Sequence, residues 1–232
     1  MGQDFARDLK RHFNITVWNR SDKSHIAKEI GVGFESNLDK AVKEADIVLI
    51  CVPMAVFEET IKKISKLVRN DSIVADVCSV KEMPMETMRK NLNCSFIGTH
   101  PLFGKVDSMD GRKIVVCRGK GDCGSLTDGL KKAGAQIIEM DALEHDSLIG
   151  EIQGVTHFIG LGIRDYMKKY DREKLKSVST LSFEYLLGLL DRIEKNNPEI
   201  FMEIQRHNKY ARESRKNLLA KLIEKDKEMD GE

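Results

Sequence analysis

Residues 45–81 read ADIVLICVPMAVFEETIKKISKLVRNDSIVADVCSVK. The run IVLICV lacks polar alternation, as expected of a strand covered on both faces, and it ends at Val52-Pro53. FEETIKKISKLV is amphipathic at the helical period, and DSIVADVCS is a second short, β-branched run. A strand, a helix and a strand of these lengths imply a parallel crossover.

The same alternation extends outward. NITVW (14–18) and LDKAVKEA (38–45) precede it; METMRKNL (85–92) and SFIGTHP (95–101) follow. GRKIVVCRG, a helix over about 125–133 and AQIIEM complete the strand-rich part. Beyond Asp141 the apolar residues recur at three-to-four spacing with almost no strand signal, over 144–170, 173–196 and 198–227, with Asn197-Pro198 punctuating the last two helices. The expected fold class is α/β: a Rossmann-like, doubly wound, mainly parallel sheet over residues 1–142, then an all-helical domain over 143–232.

The chain opens MGQDFARDLKRHFNITVWNRS, where Phe5, Leu9 and Phe13 have helical spacing and Ile15 and Val17 form a short strand. That order is the second half of a nucleotide-binding unit, so the first strand is expected to be missing. Gly2 then stands as the last glycine of G-x-G-x-x-G, and Met1 reads as an internal methionine of a longer protein. The missing strand is central in this fold, so two strand edges are expected to be left open and NADP binding weakened. At the end of the following strand the usual ribose-binding acid is replaced by Asn19, Arg20 and Ser21. Arg20 and Ser21 can hold a 2′-phosphate through charge-assisted hydrogen bonds, which favours NADP, with NAD as the alternative. Val52 and Pro53 lie where the carboxyl ends of parallel strands present ligands.

The 232 residues are 41% apolar and 32% charged, with 38 basic against 37 acidic side chains. This balance gives no global field to draw nucleic acid or an anionic membrane. The longest apolar stretch, IVLICVPMAVF, falls well short of the roughly 20 residues that span a bilayer. Five cysteines without C-x-x-C spacing or a secretory segment indicate reduced thiols in a cytoplasmic protein, with no metal site. A small-molecule substrate is the expected partner.

In SFIGTHPLFGK a strand runs directly into Thr99-His100-Pro101, with a glycine turn after it. A histidine so placed can exchange a proton near neutral pH. The combination of DVCSVK (76–81), GTHPLFG (98–104), EHDSLIGEIQGVTHF (144–158) and DRIEKNNPEIFMEIQ (191–205) resembles the prephenate dehydrogenase family, of TyrA type, in order and spacing over essentially the whole chain.

That resemblance implies oxidative decarboxylation of prephenate to 4-hydroxyphenylpyruvate in tyrosine biosynthesis, with hydride transfer to NADP. His100 would be the catalytic base on the ring hydroxyl, and Ser79 would orient substrate or histidine. His157 would line the substrate pocket, and Arg192 would pair with a substrate carboxylate. A homodimer built through the helical domain is implied as well. A bidentate guanidinium suits a dicarboxylate better than lysine does. Plainer roles also fit: Ser79 as a helix cap, His157 as a core histidine, Arg192 as a surface ion pair, His145 as a capping or domain-joining residue outside the catalytic set. Arogenate dehydrogenase, a catalytically impaired binding-only relative, and another small Rossmann oxidoreductase such as an imine reductase are the alternatives.

Overall fold

The computed structural model describes residues 1–104, 106–195 and 198–231, apart from the side chains at 198 and 199. It divides into two compact units, Met1–His145 and Asp146–Glu232. The division falls inside a helix, three residues later than the sequence pattern suggests, because that helix starts in one unit and continues into the other.

In chain order the first unit contains α1 (Gly2–Leu9), β1 (Thr16–Val17), α2 (Ser24–Ile30), β2 (Gly33–Phe34), α3 (Leu38–Lys43), β3 (Ile47–Ile50), α4 (Phe57–Ile64) and β4 (Ile73–Asp76). It continues with α5 (Glu82–Asn91), β5 (Ser95–Pro101), β6 (Lys113–Lys120), α6 (Gly124–Lys132), β7 (Gln136–Glu139) and the start of α7 (Ala142–Ile149). Five strands form one sheet in the order β3-β4-β5-β6-β7, parallel except for the β5–β6 pair. β1 and β2 pair in parallel as a separate piece.

No ladder joins β1 to β3 among the described residues. One expectation is corrected here. IVLICV is not covered on both faces: Ile47, Val48 and Leu49 are half-buried, because β3 is the outer strand of its sheet. The fully enclosed strand is β4, one place further in.

The period-two alternation of the central strands builds a core on each face. Val74, Phe96, Val115 and Cys117 point to the face covered by Phe57, Ile61 and Ile64 of α4 and Met85 and Met88 of α5. Ile73, Ala75, Ile97, Ile114 and Val116 point to the other, where Phe5 and Leu9 of α1 and Leu126 and Leu130 of α6 pack. This arrangement puts the carboxyl ends of β3, β4 and β5 on one rim.

The second unit carries the rest of α7, a π-helical turn (Gly150–Gly154), α8 (Val155–Met167), α9 (Arg172–Lys176), α10 (Leu181–Lys195), α11 (Pro198–His207) and α12 (Lys209–Asp230). Two expected helices are each divided. The 173–196 segment breaks between α9 and α10. The 198–227 segment breaks at Asn208, whose side-chain oxygen caps α12 by accepting from the amides of Tyr210 (2.9 Å) and Ala211 (3.3 Å). Asn197, half of the expected Asn197-Pro198 break, lies outside the described residues.

A close crossing holds this unit together. A Cβ on Gly150 would lie 2.7 Å from Tyr210 Cβ, and one on Gly154 would lie 2.9 Å from Ala211 Cβ. The π turn shifts the hydrogen-bond ladder here, and the Gly154 carbonyl accepts from Gln205 Nε2 at 2.8 Å. No described helix is long and apolar enough to cross a membrane.

Candidate active site

One carboxylate organises the rim at β4. Asp76 is the last residue of that strand and has no solvent exposure. Its Oδ1 accepts from the Cys78 amide at 2.8 Å and from Lys81 Nζ, and Lys81 is equally enclosed. A single oxygen therefore ties both ends of the loop 77–80. That loop presents Ser79, half-buried and with no side-chain hydrogen bond among the described residues. α5 begins after Lys81 without a side-chain cap, so Ser79 is not capping it. The spacing D-x-x-S-x-K is thus a clamp around a serine, closed by the aspartate and lysine at its two ends.

Neighbouring β5 is tied to the same aspartate. Thr99 Oγ1 donates to the Asp76 carbonyl at 2.5 Å. A Cβ on Gly98 would lie 2.6 Å from Met85 Sδ and 3.0 Å from Lys81 Cδ, so glycine is needed for α5 to sit this close to β5. Two residues on, His100 lies at the strand end, opposite Val115 of β6. Pro101 restricts it to extended backbone.

His100 is 3% exposed, and its Nδ1 lies 2.8 Å from Nε2 of His145, which is fully buried. The ring planes meet at 71° with centroids 5.0 Å apart. His145 owes its place to the start of α7. Asp141 accepts from the Glu144 amide at 2.8 Å through its side chain and from the His145 amide at 3.0 Å through its carbonyl. That is a capped first turn, with the acid three residues on that the capping pattern favours. Asp141, not His145, does the capping. His145, set aside on the sequence, is the residue the tertiary structure adds to the site.

The expected cofactor residues lie at the amino end of α1 and beyond β1 and β3. A Cβ on Gly2 would lie 3.3 Å from Cys51 Cβ, so α1 starts tight against the exit of β3. Asn19 Nδ2 donates to the Ser21 carbonyl and hydroxyl, both at 3.0 Å, closing a turn that leaves Arg20 exposed. Val52 and Pro53 follow β3, half-buried and exposed respectively. These residues fit a dinucleotide: a helix start without a side chain in the way, and beyond the next strand an exposed cation beside a hydroxyl that accepts from Asn19 and keeps its own proton to donate.

His157 and Arg192 belong to the helical unit. His157 lies on α8, half-buried, edge-on to Phe201 with centroids 4.5 Å apart. Its Nδ1 is enclosed without a hydrogen-bond partner, and burial pushes the imidazole down to about 4. Arg192 is exposed on α10. None of the five cysteines is in a disulfide. No group of metal-binding side chains occurs among the described residues.

A Rossmann-like sheet followed by an all-helical domain is a two-domain architecture of the kind that holds a dinucleotide at the carboxyl ends of its strands. Residues 5–118 match the family model "Prephenate dehydrogenase, nucleotide-binding domain" and residues 141–229 match "Prephenate dehydrogenase, dimerization domain". The chain is 31% identical over 227 residues to the "Probable arogenate/prephenate dehydrogenase" of Methanocaldococcus jannaschii, covering 92% of this chain and 51% of that one. It is 24% identical to "Arogenate dehydrogenase 1, chloroplastic" of Arabidopsis thaliana, over 88% of this chain and 34% of that one. The structure of prephenate dehydrogenase from Aquifex aeolicus with hydroxyphenyl propionate and NAD+ superimposes with a TM-score of 0.79 at 23% identity, covering 100% of this chain and 88% of that one. The chain belongs to the prephenate dehydrogenase family. It spans about half the length of the first of these curated relatives and a third of the second.

Proposed function

We propose that this chain carries the catalytic base and cofactor turn of an NADP-preferring prephenate dehydrogenase. The observation that carries the reading is His100: a buried histidine at the carboxyl end of a parallel strand, held on its Nδ1 side by a second imidazole. The ring nitrogen away from that bond, Nε2, takes the proton from the ring hydroxyl of the substrate. Ser79, held in the Asp76–Lys81 clamp with its hydroxyl uncommitted, orients that hydroxyl or the histidine. In the helical domain Arg192 takes a substrate carboxylate and His157 lines the pocket. The nicotinamide ring, when bound, accepts the hydride. Loss of carbon dioxide then leaves an aromatic ring, which makes the step effectively irreversible.

Gly2 at the start of α1 and Val52 and Pro53 after β3 would receive the dinucleotide. Arg20 and Ser21 would hold the 2′-phosphate that distinguishes NADP, and NAD remains the alternative cofactor. The helical domain would join two copies into a homodimer. This is supported by the dimerization-domain match and by Leu219, Leu222 and Ile223, which α12 leaves exposed. Arogenate in place of prephenate is the second reading, since curated relatives carry both names.

The test is reduced-cofactor formation at 340 nm by the 232-residue chain, with prephenate and arogenate each paired with NADP and NAD. Turnover highest with prephenate and NADP is the expected result. Tight substrate binding without turnover in any of the four combinations would instead establish the binding-only relative.

A further inference from the structure

We propose that His145 is a positioning residue for the base: its Nε2 accepts the Nδ1–H of His100 and so fixes the tautomer in which His100 Nε2 carries the lone pair. The proposal deepens the dehydrogenase reading and rests on His100 being its base.

The geometry carries it. Two ring nitrogens 2.8 Å apart share one proton, so one ring donates and the other accepts. If His145 donated, the neutral His100 would carry its own proton on Nε2 and would have no lone pair for a substrate hydroxyl. If His100 donates, Nε2 is bare before the reaction and protonated after it, and the Nδ1–H is in place in both states. No proton has to move between the ring nitrogens during turnover. The proton balance is simple: the substrate O–H bond breaks, the new N–H bond forms at Nε2, and the resulting imidazolium donates more strongly to His145.

Both rings are buried, so water does not compete for the Nδ1 position. The backbone fixes each partner separately. Pro101 holds the extended end of β5, and Asp141 caps the turn of α7 that carries His145. The arrangement parallels an orienting carboxylate behind a catalytic histidine. It differs in adding no negative charge, which would favour the protonated imidazole before substrate arrives.

The experiment has two arms on the full chain. In the first, long-range 15N NMR of the unaltered protein, with His100 assigned through H100N, reads which nitrogen bears hydrogen in the neutral form. The expected result is a protonated Nδ1 and a bare Nε2; a protonated Nε2 overturns the proposal. In the second, H145L lowers kcat about tenfold to a hundredfold with substrate KM unchanged, and H145Q, whose amide oxygen can accept the same hydrogen bond, restores at least half of that loss on a logarithmic scale. Wild-type kcat in H145L, or H145Q as impaired as H145L, overturns it. If H145L does not fold, H145Q and the first arm decide. If the chain turns over neither substrate, the dehydrogenase reading fails while the NMR arm still reports the tautomer.

Discussion

At the carboxyl ends of β4 and β5 the polar side chains are enclosed: Asp76, Lys81 and His145 have no exposure and His100 almost none. At the end of β1, in the same unit, Asn19, Arg20 and Ser21 all stand in solvent. The enclosed groups are partnered across long stretches of chain, His100 with His145 and Thr99 with Asp76. The exposed turn is closed by a bond between residues two apart. Enclosure makes each polar group expensive to leave unpaired, so the network is rigid and its parts interdependent. The exposed turn is chemically independent of its surroundings and can be altered without disturbing the fold.

The largest effect should come from the proposed base. His100→Asn is expected to lower kcat about 10²- to 10⁴-fold, with cofactor affinity in calorimetry nearly intact. Wild-type turnover would remove His100 from the chemistry. Next, Lys81→Met leaves the Asp76 carboxylate buried without its cation, which should cost about 3–5 kcal/mol in urea unfolding. Adding Asp76→Asn to that variant should recover part of the loss. A double variant no better than the single one would show that the two side chains do not act as a pair.

On the exposed side, Arg20→Gln should raise the NADP KM about tenfold and leave the NAD KM unchanged, with a smaller effect at high salt because the charge is solvated. Equal changes for both cofactors would place the 2′-phosphate elsewhere. In the helical unit, Arg192→Gln should raise substrate KM several-fold to about tenfold with little change in kcat. An unchanged KM would move the carboxylate site to another cation.

A separate effect concerns pH. His157 holds its imidazole at about 4 in the fold against an ordinary 6.5, so between those values the unfolded chain binds more protons than the folded one. Stability from this group is therefore complete above 6.5, falls as pH drops towards 4, and changes no further below. His157→Phe should flatten that part of the stability–pH curve, and an unchanged slope would assign it to other groups.

The alternation of strands and helices was legible because a buried strand and an amphipathic helix each leave a local period. It misjudged IVLICV, since an apolar run does not say which strand ends up at the side of a sheet; β4, one position away, is the enclosed one. It also ran α11 and α12 together, because Asn208 signals a cap only when its amide has a place to go. Here the cap side chain also donates to the Asp146 carbonyl at 2.7 Å. The strand-end place of His100 and the loop place of Ser79 were readable from their motifs. Asp76 and Lys81 sat in the same motif unread, since charged residues are ordinarily solvated and nothing in the spacing shows that these two are enclosed.

The sequence by itself determined the two-part architecture and the strand-end place of His100, both of which depend on neighbours within a few residues. Only the tertiary structure decided which histidine faces His100, because residues 100 and 145 are far apart in sequence and their rings meet only in the fold. It likewise decided that Asp76 and Lys81 are a buried clamp, because burial is a property of what covers a residue and no local pattern records it.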